Sequence, residues 1–252
     1  MILEKFKIYL FNLKKDLNRK QNIINELQKQ NIQNYEIIDA VNGNKLTSKE
    51  ITSYTFKNKT GNNPWNTKMS PTQIGCALSH IKIYHKFIET EFKFALILED
   101  DAIFIEKLED ELQNFIIKIF KYKKQIILLS ELKQFYSKPL NKFKKYELVD
   151  VSNAFFTHAY FINKDAAKSI ISFNYPIKTI ADNFVLFKLY CGIKITGINP
   201  FIIDQDKKNY PTTIFHEKNN FNKIFLFKRT VYKFQMKIIK FFINLKSHNK
   251  NI

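Results

Sequence analysis

FALILEDDAIF, residues 94–104, decides the class of fold. Phe94 to Leu98 make an apolar run of strand length that leads directly into Glu99, Asp100 and Asp101. Three neighbouring carboxylates cannot be buried without compensation. They belong at the C-terminal edge of a strand, where open α/β sheets bind ligands. If the chain stays extended there, Glu99 and Asp101 point to one side and Asp100 to the other. Two hard oxygen ligands on one side suit Mg²⁺ or Mn²⁺, with a diphosphate completing the shell. The competing reading is a solvated turn, or a helix start made acidic to suit the macrodipole.

The flanking sequence supports an α/β class. Upstream, SPTQ (70–73) combines an N-cap serine, proline at the first helical position and glutamine three residues after the cap. That is a capping box. It opens a helix to about Thr90, with Ile74, Leu78, Ile81, His85 and Ile88 on one face. Further upstream, KIYLFNL (7–13) reads as a buried strand, 16–30 as a helix and YEIIDAV (35–41) as a second strand closed by Asn42-Gly43. Residues 44–68, including TGNNPW, read as a long loop with a short helix near 47–53, the kind of segment that often binds ligand or covers a site. Downstream, the expected elements are a helix over 107–121, a strand at 125–129, a basic loop and two strands within 147–163. Helices at 164–173 and 181–190 and a last strand at 194–203 complete the core, which ends near Glu217. No internal repeat is present.

The chain has 252 residues and a net charge of +18 from 41 basic and 23 acidic residues. Only Arg19 and Arg229 are arginine, so the surface is a lysine field and lacks the planar forks that read nucleic-acid bases. No nucleic-acid partner is therefore expected. Nine basic residues and no acidic one fall within 218–252. The pattern there is a basic amphipathic helix, able either to lie on an anionic membrane or to pack its apolar face on the core. Two cysteines, Cys76 and Cys191, are too few for a disulfide framework or a cysteine-based zinc site. A reduced, cytoplasmic setting is the simplest reading. The short apolar run at residues 1–13 is interrupted by Lys5 and Lys7, so no export signal is expected there, and no apolar run of about 18 residues is present.

Other residues carry weaker signals. Arg19 follows the first strand and could grip a phosphate, although a surface arginine is commoner. His80 lies one turn after Cys76; it is either a donor or base, or a satisfied core histidine. Cys76 reads as a small core residue. Asp182 opens the 181–190 helix, as a macrodipole partner or a general base. Gln205 and His216 follow the last strand, where a base or a third metal ligand would sit.

IYLFNLKKDLNRK, IIDAVNG, MSPTQIGCALSHIKIYHKF and FALILEDDAIF, in this order and spacing, resemble the glycosyltransferase family 25 enzymes, the bacterial lipooligosaccharide galactosyltransferases and their relatives. FFTHAYFINKDAAKSI, IADNFVL and INPFIIDQ…PTTI extend the resemblance to about residues 5–217. Two departures are Asn42, where the family often has an acid, and Thr212-Thr213 in place of a serine pair. The resemblance implies a GT-A type nucleotide-binding domain over 1–217, α/β with a mixed, mainly parallel sheet, followed by the basic C-terminal helix of 218–252. It implies a UDP-sugar donor, usually UDP-galactose, and inverting transfer to a lipooligosaccharide or lipopolysaccharide acceptor. UDP-glucose or a UDP-N-acetylhexosamine is the alternative donor. Glu99, Asp100 and Asp101 would hold Mn²⁺ or Mg²⁺. Asn12, Arg19, Gly75, His80 and Asp100 would contact the donor, and Asp182 would be the base. The implied location is cytoplasmic and peripheral on the inner membrane, held by the C-terminal helix. The rival classes are a basic nucleic-acid-binding protein, which leaves the acids unexplained, and a metal-dependent phosphohydrolase.

Overall fold

The computed structural model describes residues 6–57, 69–154 and 157–210. TGNNPW, Thr212-Thr213, His216 and the basic segment 218–252 lie outside them. The chain opens with β1 (Phe6–Asn12), α1 (Leu17–Lys29) and β2 (Glu36–Asp39). A 3-10 turn at Gly43–Lys45 and a short α2 (Ser48–Tyr54) lead to the long α3 (Pro71–Ile88). Then come β3 (Phe94–Glu99), β4 (Ala102–Phe104), α4 (Asp110–Lys118) and β5 (Gln125–Leu128). Two short strands, β6 (Gln134–Phe135) and β7 (Asn141–Phe143), precede β8 (Tyr146–Asn153) and β9 (Ala159–Asn163). The described chain closes with α5 (Lys164–Asn174), α6 (Phe184–Cys191), β10 (Lys194–Asn199) and β11 (Ile203–Gln205).

Nine strands form one sheet in the order β2-β1-β3-β9-β5-β10-β8-β6, with β7 also on β8. The sheet is mixed and mainly parallel: only β9 and β8 run against the others. The pleat divides the side chains between two cores. Tyr9, Phe11, Ile97, Ile126, Leu128 and Tyr160 pack under α3, α5 and α6. Ile8, Leu10, Leu96, Leu98, Ile127 and Phe161 pack under α1 and α4. The central strands are therefore apolar on both faces, as strands covered by helices on each side must be. The acids begin where the second helical cover ends.

The capping box forms as expected: the Ser70 hydroxyl accepts from the Gln73 amide, and the Gln73 side chain accepts from the Ser70 amide. Three local expectations need correction. The basic loop after β5 contains β6 and β7, short and largely polar strands whose hydrophobic alternation is too weak to read. The expected last strand, 194–203, breaks after Asn199; Pro200 has no amide hydrogen to continue a ladder. Its second half is β11, which pairs antiparallel with β4 in a separate two-stranded sheet. The helix expected at 181–190 starts at Phe184, capped by Asn183.

One close approach fixes α3 beside the C-terminal ends of β1 and β2. A Cβ on Gly75 would lie 2.5 Å from the Val41 carbonyl oxygen, and one on Gly43 would lie 1.7 Å from that of Pro71. The Ser79 hydroxyl accepts from the Val41 amide at 2.8 Å and completes the seam. Replacing Gly43 by alanine should cost about 3 kcal/mol or more in urea unfolding, since backbone must move to admit the methyl. Gly192→Ala should cost only about 1 kcal/mol: that residue ends α6 at φ +64°, with open space around it.

Candidate active site

Glu99 ends β3 on the face that carries Ala95 and Ile97, and so turns toward α3. The next residue turns toward α1. Two more residues of extended chain would have returned Asp101 to the side of Glu99, but the chain makes a turn at Asp100–Asp101. As a result Asp100 and Asp101 share one partner. Arg19 Nη1 donates to Asp100 Oδ1 and Nη2 to Asp101 Oδ2, each at 3.0 Å. The expected pairing of Glu99 with Asp101 is thus replaced by a pair of aspartates bridged by a guanidinium.

Three other elements complete this corner. Asn12, at the end of β1, donates to Asp100 Oδ2 at 2.8 Å and to the Asp16 carbonyl at 3.0 Å. Gln205, at the end of β11, donates to Asp101 Oδ2 at 2.8 Å. The Asp206 amide donates to the Asp101 carbonyl at 2.8 Å. The Tyr210 ring lies 5.5 Å from the Arg19 guanidinium carbon, a cation–π distance. Gln205, a weak candidate from sequence, is therefore a direct partner of the acidic pair, and the β4–β11 ladder delivers it.

Asp100 is 6% and Asp101 3% exposed. Burial, helped by the neighbouring acids, pushes the Asp100 carboxyl up to about 6 against the pull of Arg19 and Asn12. Burial and the Glu99 charge raise Asp101 in the same way. Glu99 goes the other way. Burial opposes its ionisation, but His80 and the Thr157 hydroxyl outweigh that and lower it. Thr157 donates to Glu99 Oε1 at 2.6 Å. Asp101 Oδ1 is buried with no hydrogen-bond partner among the described residues. An uncompensated carboxylate oxygen in a crowd of acids that a single arginine neutralises only partly fits a divalent cation held by hard oxygens. The donor set of Asp100 and Asp101 is suited to Mn²⁺ or Mg²⁺.

A cleft adjoins the acids. It is lined by Phe11 and Asn12 at the end of β1 and Asp16 after it, by Val41 and Asn42 after β2, by Thr72 and Cys76 of α3, and by Arg19, Glu99 and Asp100. Asn12, Arg19 and Asp100, the residues expected to contact the donor, line this cleft. Arg19 is committed to the two aspartates and does not stand free for a phosphate. Gly75 and His80 do not line the cleft. Gly75 seats α3 on residues 41–43, and His80 is 2% exposed behind Glu99. Cys76 is a cleft residue as well as a packing one. Its thiol is raised by burial and then by the charges of Glu99, Asp182 and Asp101. Asp182 precedes the cap of α6 and is not in its first turn. Thr157 and His158 escaped the sequence reading. The His158 carbonyl accepts from the Glu99 amide at 2.9 Å, and its ring helps lower Glu99. Their only signal was a polar Thr-His step inside an apolar strand pattern. Among the described residues no helix is long and apolar enough to cross a membrane.

The sequence model of glycosyltransferase family 25 (LPS biosynthesis protein) matches residues 5–185. Procollagen galactosyltransferase 2 of Mus musculus is 23% identical over 169 residues, 65% of this chain and 27% of that protein. The procollagen lysyl hydroxylase and glycosyltransferase of Acanthamoeba polyphaga mimivirus is 25% identical over 201 residues, 73% of this chain and 22% of that protein. The chain spans about a quarter of the length of these curated relatives. Among solved structures, a glycosyltransferase involved in glycosylation of the major capsid of PBCV-1 aligns at 10% identity and a TM-score of 0.43, covering 80% of this chain and 94% of that one.

Removing the Arg19 guanidinium leaves two buried acids facing each other. Arg19→Ala should lose about 3–5 kcal/mol of stability in metal-free buffer at pH 8. The folded midpoint of Asp100 lies above the ordinary carboxylate value, so protonation relieves the repulsion. Without Arg19 that midpoint rises further, so the deficit should be full above the variant's midpoint, shrink as pH falls toward about 6 and level off below it. Urea unfolding of the parent and variant at several pH values measures it, and a pH-independent deficit would show that Arg19 acts through packing alone.

Proposed function

The chain belongs to glycosyltransferase family 25, and from that premise we propose that it transfers a hexose, galactose first among the candidates, from a UDP-sugar to a hydroxyl of a lipooligosaccharide or lipopolysaccharide acceptor. The observation that carries this reading is the Asp100–Asp101 pair, buried at a strand end beside a cleft, with Asp101 Oδ1 lacking a partner. The family's place in LPS biosynthesis supports the acceptor class, and the procollagen galactosyltransferases among the relatives support the sugar.

In this reading the nucleotide lies in the cleft between the β1–α1 turn and residues 41–42, with its diphosphate toward Asp100 and Asp101. A divalent ion on these two residues would supply positive charge to the diphosphate as it leaves. Arg19 and Gln205 hold Asp101 at one oxygen and leave the other to ligate. Asn12 holds Asp100 Oδ2 while Arg19 holds its Oδ1, fixing that carboxylate against β1. Displacement inverts the anomeric carbon: the acceptor oxygen forms its bond on the face opposite the breaking bond to UDP. Asp182 takes the acceptor proton as that bond forms. Its charge is felt at Cys76, a residue of the cleft.

A panel of UDP-sugars with and without Mn²⁺ tests the proposal, and transfer should be fastest from UDP-galactose and depend on the ion. Asp101→Asn should lose transfer by roughly a hundredfold or more; parent activity in that variant would remove the metal role. Asp182→Asn should lower kcat by roughly two to four orders of magnitude while leaving the donor KM near the parent value. Unchanged turnover would assign the base elsewhere.

The basic segment 218–252 would hold the protein on an anionic inner-membrane surface, each basic residue near it contributing about 1 kcal/mol. Full-length protein with Lys233, Lys237 and Lys240 changed to glutamate should dissociate from phosphatidylglycerol-containing vesicles yet still act on a small soluble acceptor. Equal sedimentation of the parent and the triple variant would refute this anchoring.

A further inference from the structure

We propose that Cys76, His80 and Glu99 form a second cation site, separate from the aspartate pair and suited to a thiophilic divalent ion of the zinc class. Cys76 and His80 stand four residues apart on α3 and therefore on one face of the helix. Glu99 meets them because the pleat of β3 sends it to the α3 side, away from Asp100. The Cys76 sulfur, one His80 ring nitrogen and one Glu99 carboxylate oxygen lie within 4.8 Å of one another.

His80 shows that this is more than a chance cluster. It is 2% exposed, and its two nitrogens have different surroundings. Nδ1 is 2.7 Å from the Tyr160 hydroxyl, which is itself 2.6 Å from the Tyr84 hydroxyl. Nε2 has no hydrogen-bond partner, and at 3.8 Å from Glu99 Oε1 it is too far to make one. A buried ring nitrogen without a partner calls for an explanation. Without a cation, a proton on Nε2 faces the Glu99 carboxylate. In the tautomer that a cation would select, Nδ1–H donates to Tyr160, Tyr160 in turn to Tyr84, and the lone pair of Nε2 faces Glu99 and Cys76 instead. Metal-binding histidines have this arrangement, with an outer hydrogen bond setting the tautomer and the ring angle.

The chemistry of the three donors selects the ion. The aspartate pair is all hard oxygen and suits Mg²⁺ or Mn²⁺, whereas sulfur, imidazole and one carboxylate suit Zn²⁺. Bond lengths of about 2.0–2.3 Å in a tetrahedron ask for donor separations of roughly 3.3–3.8 Å, so the cluster needs to close by about 1 Å at its widest. Cys76 and Glu99 line the cleft, which gives an ion a path in and leaves the fourth position to water. On binding, the thiol proton goes to solvent and the thiolate, the neutral imidazole and the carboxylate each supply one electron pair.

Cobalt(II) reports such a site directly, because a Co²⁺–thiolate bond absorbs in the near ultraviolet. Full-length protein, stripped by chelator and kept in millimolar Mg²⁺ to fill the aspartates, should take up one equivalent of Co²⁺ with a thiolate charge-transfer band that Zn²⁺ abolishes. Cys76→Ser should lose the band, whereas Cys191→Ser and Asp101→Asn should keep it. Tyr160→Phe should weaken Zn²⁺ binding by roughly ten- to a hundredfold, as loss of an outer hydrogen bond does elsewhere. Absence of the band in the parent, or its persistence in Cys76→Ser, overturns the site. Its loss in Asp101→Asn, with Cys191→Ser intact and both variants folded by circular dichroism, overturns the separation of the two sites. None of these readouts depends on sugar transfer, so failure here and failure of the transferase reading can be told apart.

Discussion

Two neighbouring aspartates, both nearly buried, held by the two arms of one guanidinium: much of the architecture around the end of β3 serves that contact. Charged groups withdrawn from water have to recover their solvation from the protein. Arg19 alone recovers only part of it, because burial and mutual repulsion still raise both aspartates. The remaining compensation is drawn from distant parts of the chain. Asn12 comes from the end of β1 and Gln205 from beyond β10, more than a hundred residues after Asp101. The small β4–β11 sheet has an electrostatic reason to exist: it carries an amide side chain to Asp101. One carboxylate oxygen is still left over, and that remainder is the basis for placing a cation there.

The main elements were legible because their signals are local. The Ser70–Gln73 capping box and the Pro71 start of α3 depend on a few adjacent residues, and the central strands are apolar on both faces because helices cover both. What escaped the sequence depends on non-local pairing. Nothing in Ala102–Phe104 or Ile203–Gln205 states that the two segments meet. The short strands β6 and β7 are mostly polar, so no alternation marks them. The same limit applied within the site. The acids themselves were plain, but their division between faces was half right: alternation correctly separates Glu99 from Asp100 and fails at Asp101, where the chain turns. Arg19 was readable as special in a chain with only one other arginine, yet the sequence suggested a phosphate as its partner where the structure supplies carboxylates. Thr157 and His158 gave almost no signal, because a polar pair before an apolar strand is ordinary.

That division between faces has a chemical consequence. A pleated strand sends successive side chains to opposite sides, so an acidic run at its end supplies two different environments within one peptide unit. On the α1 side the donors are an arginine and two amides, which share the charge of the aspartates without removing it. On the α3 side they are a threonine hydroxyl and an imidazole, which stabilise the ionised carboxylate and lower its proton affinity. Adjacent acids therefore shift in opposite directions for reasons that trace to strand geometry. Perturbations of opposite sign in one cleft are what a site needs if its carboxylates are to take different roles.

Helix α3 joins these two environments. Its N-terminal turns sit against residues 41–43, with no room for a side chain at Gly43 or Gly75, and Ser79 is tied to the Val41 amide. Over the same turns the helix presents Cys76 to the cleft and His80 toward Glu99. The seam that positions this wall of the cleft therefore also sets the distance from His80 to β3. A shift of α3 large enough to admit a methyl group at Gly75 would move the imidazole relative to Glu99 by a similar amount. The glycine matched by resemblance to a donor-contacting residue thus acts at one remove, through the placement of a helix. Its lack of a side chain sets how closely α3, and with it Cys76 and His80, can approach the acids.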